Sequence, residues 1–336
     1  MTASDVSALR PLSTGQLLDR AFRLYRQHFL VFLGIVALVQ VPISVAQVAL
    51  NAQMLGVTGG GETFGTIGVI STVVIFVGSI LFASLETGAL TGAVADSYLG
   101  TPVSILGSYR RLGRKWLSIL GALLLAGLIG ILLFLWFLVP IVGWLSGLGI
   151  LVFFEIAVIQ LIPPIIVLER HTGSAAVRRG WDLSRKRFWP VVGFMLVLAL
   201  LSTILVNGPT LLVVWLLRLM IPDAIGSTQG IFAVTALLPT AISAFFALVF
   251  QPLRLTAITL LYFDLRVRFE GFDLALLANS LADVPTSLDT VTAQAPDPEE
   301  GHLVTRGEFG SFILLSFVGG LVLVVVPALV QALYGL

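Results

Sequence analysis

The chain contains no cysteine, which excludes a disulfide framework, a thiolate metal site and a cysteine nucleophile. Charge is scarce. Only 11% of its residues are Asp, Glu, Lys or Arg, where soluble domains carry roughly 25%. Histidine occurs as His28, His171 and His302, far apart in sequence and flanked by polar residues. That pattern fits solvated interfacial side chains better than a metal site, which needs more ligands. Also missing are a Gly-rich phosphate loop with Lys, a Gly-x-Ser-x-Gly elbow and a His-Glu-x-x-His pair. No catalytic residue, metal, cofactor or nucleic-acid partner is expected.

What is present is apolar sequence. Apolar residues make up 57% of the 336, and the mean hydropathy is +1.04. This predicts an all-α, polytopic membrane bundle, since a span needs about 20 apolar residues. Seven stretches qualify: 29–54, 65–95, 117–138, 145–168, 190–217, 231–263 and 309–334. The second and sixth are too long for one perpendicular crossing and must tilt, kink or emerge as helix into water. The first 28 residues lack the apolar core of a signal peptide, so the first span is expected to stay as an anchor. Asn207-Gly-Pro209 is expected to break or kink the fifth span, and Gly59–Gly61 and Pro222 to lie in outer turns.

The basic residues are unevenly placed. Arg10, Arg20, Arg23 and Arg26 precede the first span; Arg110, Arg111, Arg114 and Lys115 follow the second; Arg170, Arg178, Arg179, Arg185, Lys186 and Arg187 follow the fourth. Arg254, Arg266, Arg268 and Arg306 lie in or after the sixth, and only Arg218 falls on the other side, near Asp223 and with Glu62 the only other charge there. The positive-inside rule then places the N-terminus in the cytoplasm and the C-terminus outside the cell membrane.

Three segments repeat. With Phe29, Trp116 and Phe188 aligned, Phe22, Tyr109 and Trp181 stand seven residues earlier, and Leu18, Ile105 and Val177 eleven earlier. At 100° per residue these share one helical face, while Arg20, Arg23, Arg110, Arg114, Arg179 and Lys186 take the opposite one. Each pair of spans is thus preceded by a helix expected to lie in the inner interface, its arginines toward anionic headgroups. The reading is three parallel repeats of interfacial helix plus two spans, over about 12–98, 99–170 and 171–278, forming a membrane domain of 1–278. A flexible cytoplasmic linker over 279–306 and a peripheral C-terminal span over 307–336 follow.

Two stretches carry a resemblance. Arg10-Pro-Leu-Ser-Thr-Gly-Gln-Leu-Leu-Asp-Arg-Ala-Phe-Arg-Leu-Tyr-Arg26 and Leu261-Tyr-Phe-Asp-Leu-Arg-Val-Arg-Phe-Glu-Gly-Phe-Asp-Leu274 resemble the N- and C-terminal signatures of the bacterial membrane domain of glycerophosphoryl diester phosphodiesterases. The resemblance covers about residues 8–278 and implies an integral membrane domain of six or more helices. In some relatives this domain is joined to a catalytic barrel. The barrel's His-Arg-Gly motif and acidic metal-binding pair have no counterpart here, so the resemblance implies no activity.

Four polar residues fall inside predicted spans: Glu86, Glu155, Gln160 and Arg254. A mid-membrane charge costs a few kcal/mol or more and normally faces a partner or a watery cavity. Glu86, Gln160 and Arg254 stand nine or ten residues before Asp96, Glu169 and Asp264, which puts them at similar depth. The expectation is a polar cluster with Arg254 paired to Glu86 or Glu155, either an ion pair that holds helices together or a transport site. Interfacial contact is expected from Phe22, Arg23, Phe29, Tyr109, Arg110, Trp116, Arg179, Trp181, Lys186 and Phe188. The function expected first is a non-catalytic scaffold, membrane-organising or regulatory partner of another membrane protein. A transporter or channel comes second, and a lipid-headgroup enzyme component third.

Overall fold

The computed structural model describes residues 12–54, 66–169, 171–220, 238–272, 274 and 305–334. The expectations for Arg10, Gly59–Gly61, Glu62, Arg170, Pro222, Asp223, His302 and nearly all of the linker lie outside the described residues. So does the side chain of Arg218.

Every described element is helical. The short helix α1 spans Thr14–Gln27, followed by the long helices α2 (Phe29–Met54) and α3 (Thr66–Tyr98). Short α4 (Ile105–Leu112) leads into long α5 (Lys115–Phe137) and α6 (Val142–Leu168). Short α7 (Ser174–Arg185) leads into α8 (Phe188–Ser202, Thr203–Asn207, Gly208–Met220) and α9 (Leu238–Glu270), and α10 covers Arg306–Tyr334. Six helices are long and apolar enough to cross a membrane: they hold Phe29–Leu50, Ile70–Tyr98, Lys115–Phe137, Val142–Leu168, Phe188–Val213 and Leu238–Glu270. The chain is a multi-pass membrane protein. In α10 the apolar run is Gly307–Leu321.

Local chemistry sets the short helices. Ser13 and Gln16 form a capping box at the start of α1, and Ser104 accepts the Gly107 N–H at 3.2 Å at the start of α4. Both supply an acceptor for an otherwise orphaned N–H. Behind α3, Thr101 N–H bonds to the Asp96 carbonyl at 2.9 Å and Gly100 N–H to Ser97 at 3.2 Å. This is a Schellman closure, and it needs Gly100 at φ 76°.

The two longest expected spans are each a single 33-residue helix, α3 and α9. The second runs past its apolar part into Asp264, Arg266 and Arg268. Asn207-Gly-Pro209 does not interrupt α8. The helix passes through a π turn over Thr203–Asn207 instead, because the wider turn makes room for a proline that has no N–H to give. A second π turn, Phe154–Val158, lies inside α6.

The chain divides into two compact units. The first holds the described residues of Met1–Leu117 and Val197–Thr290, the second those of Ser118–Leu196 and Val291–Leu336. In the first, α1, α2, α3, α4 and α9 pack around Phe32, Ile35, Leu90 and Tyr262, each with no measurable exposure. In the second, α10 is not peripheral. It lies along α6, where Gly149 N–H donates to Ser316 Oγ at 2.7 Å in the interior. A Cβ on Gly149 would collide with the Phe312 backbone carbonyl, so glycine permits this close approach. Phe312, fully buried, meets the rings of Phe153, Trp181 and Phe188 at 5.5, 5.8 and 5.2 Å.

Candidate functional site

Within the first unit the two signature stretches lie against each other. Asp264 on α9 accepts the Leu12 N–H at 2.7 Å, and Arg268 donates to the Leu12 carbonyl at 2.5 Å. Arg268 Nε also donates to Asp264 at 2.8 Å. One carboxylate and one guanidinium thus bracket the backbone that enters α1. Arg20 sits 4.8 Å over the Tyr98 ring, and Tyr98 stacks on Phe263 at 5.0 Å. Phe263 stacks on Phe272 at 5.7 Å, and Arg266, 1% exposed, covers Phe272 at 4.7 Å. Arg266 is charge-balanced by Glu270 at 2.9 Å. Tyr25 Oη donates to the Val249 carbonyl at 2.7 Å, and burial pushes its phenol up to about 12.

The carboxylates at the span ends have a common role. Asp96 near the end of α3 pairs with Arg111 of α4. Glu169 after α6 pairs with Arg179 of α7 at 3.1 Å, where both side chains are buried. Asp264 ties to the residue before the cap of α1. Each holds the end of a long helix to a short one, and none was among the sequence-derived site residues. The detectable signal was the alignment of Asp96 with Glu169; the partner arginines lie on a folded-back element and are not visible from spacing alone.

The intramembrane residues divide between the units. In the first, Glu86 is 2% exposed, with the Gln251 side chain and the Arg254 charge close by. Among the described residues, Glu86 Oε1 and Arg254 Nε are buried with no hydrogen-bond partner. Tyr109 of α4 donates to the Ile35 carbonyl at 2.6 Å. Its phenol is raised above its ordinary value by burial and by the neighbouring Glu86 charge. In the second unit, Glu155 lies exposed in the π turn of α6, against α5 at Gly130, where an added Cβ would stand 2.8 Å from Glu155 Oε1. Gln160 donates to the Glu155 backbone carbonyl at 3.5 Å.

The aromatic and basic residues of the short helices also separate. Phe22 and Phe29 are 45% and 37% exposed, and Arg23, Arg110 and Lys186 are exposed. Trp116 is half-buried. Trp181 and Phe188 are instead interior, both against Phe153, and Arg179 is 3% exposed on Glu169. His28 hydrogen-bonds Ser97 at 2.9 Å, and His171 lies 3.6 Å from Glu169. Among the described residues no three His, Asp or Glu side chains gather as a metal site. No protein-family model, curated protein or solved structure matches the chain.

Proposed function

We propose that the chain is a non-catalytic protein of the cell membrane, a scaffold or membrane-organising partner for another membrane protein. In this reading it has seven spans, with a cytoplasmic N-terminus and an extracytoplasmic C-terminus. Three parallel repeats of interfacial helix plus two spans sit on an inner leaflet rich in anionic headgroups. The repeated order short, long, long among the helices supports the repeat, and the arginine distribution supports the orientation.

The observation that carries the function is the use made of the span-end carboxylates. Asp96, Glu169 and Asp264 each fix a short helix. These acids, which catalysis or metal binding would need, serve instead to hold a basic-aromatic layer. The contact between the two signature stretches supports reading them as one unit, as the resemblance to the phosphodiesterase membrane domain implies. Extraction in mild detergent followed by native mass determination tests the reading. A second polypeptide in fixed ratio to the chain is expected. A solitary chain whose proteoliposomes pass a solute in a Glu86-dependent way would overturn it.

Transport is the second reading, and one observation favours it. Glu86 Oε1 and Arg254 Nε are buried polar atoms without a partner among the described residues. Such atoms cost free energy unless water or a ligand satisfies them. A headgroup enzyme component rests on the resemblance alone.

A further inference from the structure

From the outer face of α1 we infer a discrete binding site for one acidic phospholipid, at the elbow where α1 meets the first span. The inference rests on the reading of the short helices as interfacial, and it goes further by assigning the contact to one groove. That groove, about 540 Å³, is lined by Asp19, Phe22, Arg23, Tyr25, Arg26 and Phe29. Tyr25 and Arg26 were not among the residues expected at the interface from the aligned repeat.

The helix is tied down along its length. Its start is capped by Ser13 and Gln16, the preceding backbone is bracketed by Asp264 and Arg268, and Tyr25 is anchored on Val249. Its inner face, Leu17, Ala21 and Leu24, is buried. Of its three arginines, Arg20 is committed to Tyr98. Arg23 and Arg26 are exposed, one turn apart, and neither has a protein partner among the described residues.

Two free guanidiniums one turn apart match a phosphate that accepts from both. Phe22 and Phe29, exposed beside them, offer apolar surface to the upper part of an acyl chain. Tyr25 packs edge-on to Phe29 at 5.3 Å and floors the groove. Asp19 is the one opposing charge on the rim, so the lining carries a net positive charge toward a phosphodiester. A soluble anion would satisfy the arginines but leave the aromatics wet; an acidic phospholipid satisfies both.

The test is native mass spectrometry of the full chain in detergent, titrated with phosphatidylglycerol and, separately, phosphatidylcholine. Wild type should retain one phosphatidylglycerol in preference to phosphatidylcholine. Arg23→Gln and Arg26→Gln should each weaken that retention about fivefold, with the double variant losing the preference. Arg23→Lys with Arg26→Lys should keep most of it, which separates charge from misfolding, and equal thermal midpoints confirm that the fold persists. Arg114→Gln, an exposed arginine outside the groove, should leave it unchanged. If wild type shows no preference for the acidic lipid, the interfacial reading itself fails. If wild type prefers it but the double variant does too, or Arg114→Gln weakens it as much, the contact is diffuse and the groove assignment alone is overturned.

Discussion

Asp264 accepts the backbone N–H of Leu12 at 2.7 Å across 252 residues of sequence. With Arg268 donating to the carbonyl of the same residue, both backbone polar groups of Leu12 are satisfied by one helix end. The contact fixes where α1 begins, and so where its groove and its arginines stand.

Removing this tie should be costly. Asp264 has a side chain 1% exposed, and its partner Arg268 is 23% exposed, so Asp264→Ala leaves a part-buried N–H unpaired and a guanidinium without its counter-charge. A loss of about 3 kcal/mol is expected. Thermal unfolding in detergent checks it, with Asp264→Asn, which keeps one acceptor, falling between Ala and wild type.

The Glu169–Arg179 pair in the second unit has both side chains buried. Arg179→Met alone should destabilise by roughly 3 kcal/mol, because it leaves a buried carboxylate; adding Glu169→Leu should recover most of the loss. A double-mutant cycle on the unfolding free energy measures this. Additive single effects would mean the pair is not coupled.

At Gly149 a side chain has nowhere to go, since its Cβ would strike the Phe312 carbonyl. Gly149→Val should cost about 1–3 kcal/mol by overpacking and loosen α10. Limited proteolysis should then cut α10 sooner than in wild type, whereas Gly121→Val, with open space at its Cβ, should leave the rate unchanged.

Tyr25 supplies a pH dependence. Its folded phenol sits at about 12, against roughly 10 in an unfolded chain. The unfolded state therefore loses this proton first. The contribution is fully present below about pH 10 and falls away as pH rises toward 12. Tyr25→Phe should lower stability by about 1 kcal/mol at neutral pH and remove this component of the alkaline loss, as read by pH-dependent thermal melts.

Hydropathy alone located the long helices, because a continuous apolar run has few alternatives to a spanning helix. The aligned aromatics Phe22, Tyr109 and Trp181, with basic residues on the opposite face, marked the short ones. What hydropathy could not mark was direction. α10 is apolar on every side, so nothing in its sequence told that Phe312 and Ser316 face α6. In α7 the basic face was expected toward headgroups, yet Arg179 turns inward to Glu169, ten residues earlier. Glu86 and Arg254 were legible as intramembrane charges because a membrane span makes any charge conspicuous. Their neighbour Gln251 was not, since its meeting with Glu86 depends on how α9 packs against α3.

The central claim is that the three short helices lie on one side of the membrane, the cytoplasmic one. The native chain has no cysteine, so single cysteines report cleanly. Gln27→Cys, Leu106→Cys and Lys186→Cys place a thiol in or beside α1, α4 and α7, and Leu138→Cys places one between α5 and α6; all four positions are exposed. A membrane-impermeant maleimide should label Leu138→Cys in intact cells and the other three only after permeabilisation. Labelling of any of the three short-helix positions in intact cells, or protection of Leu138→Cys, would contradict the account.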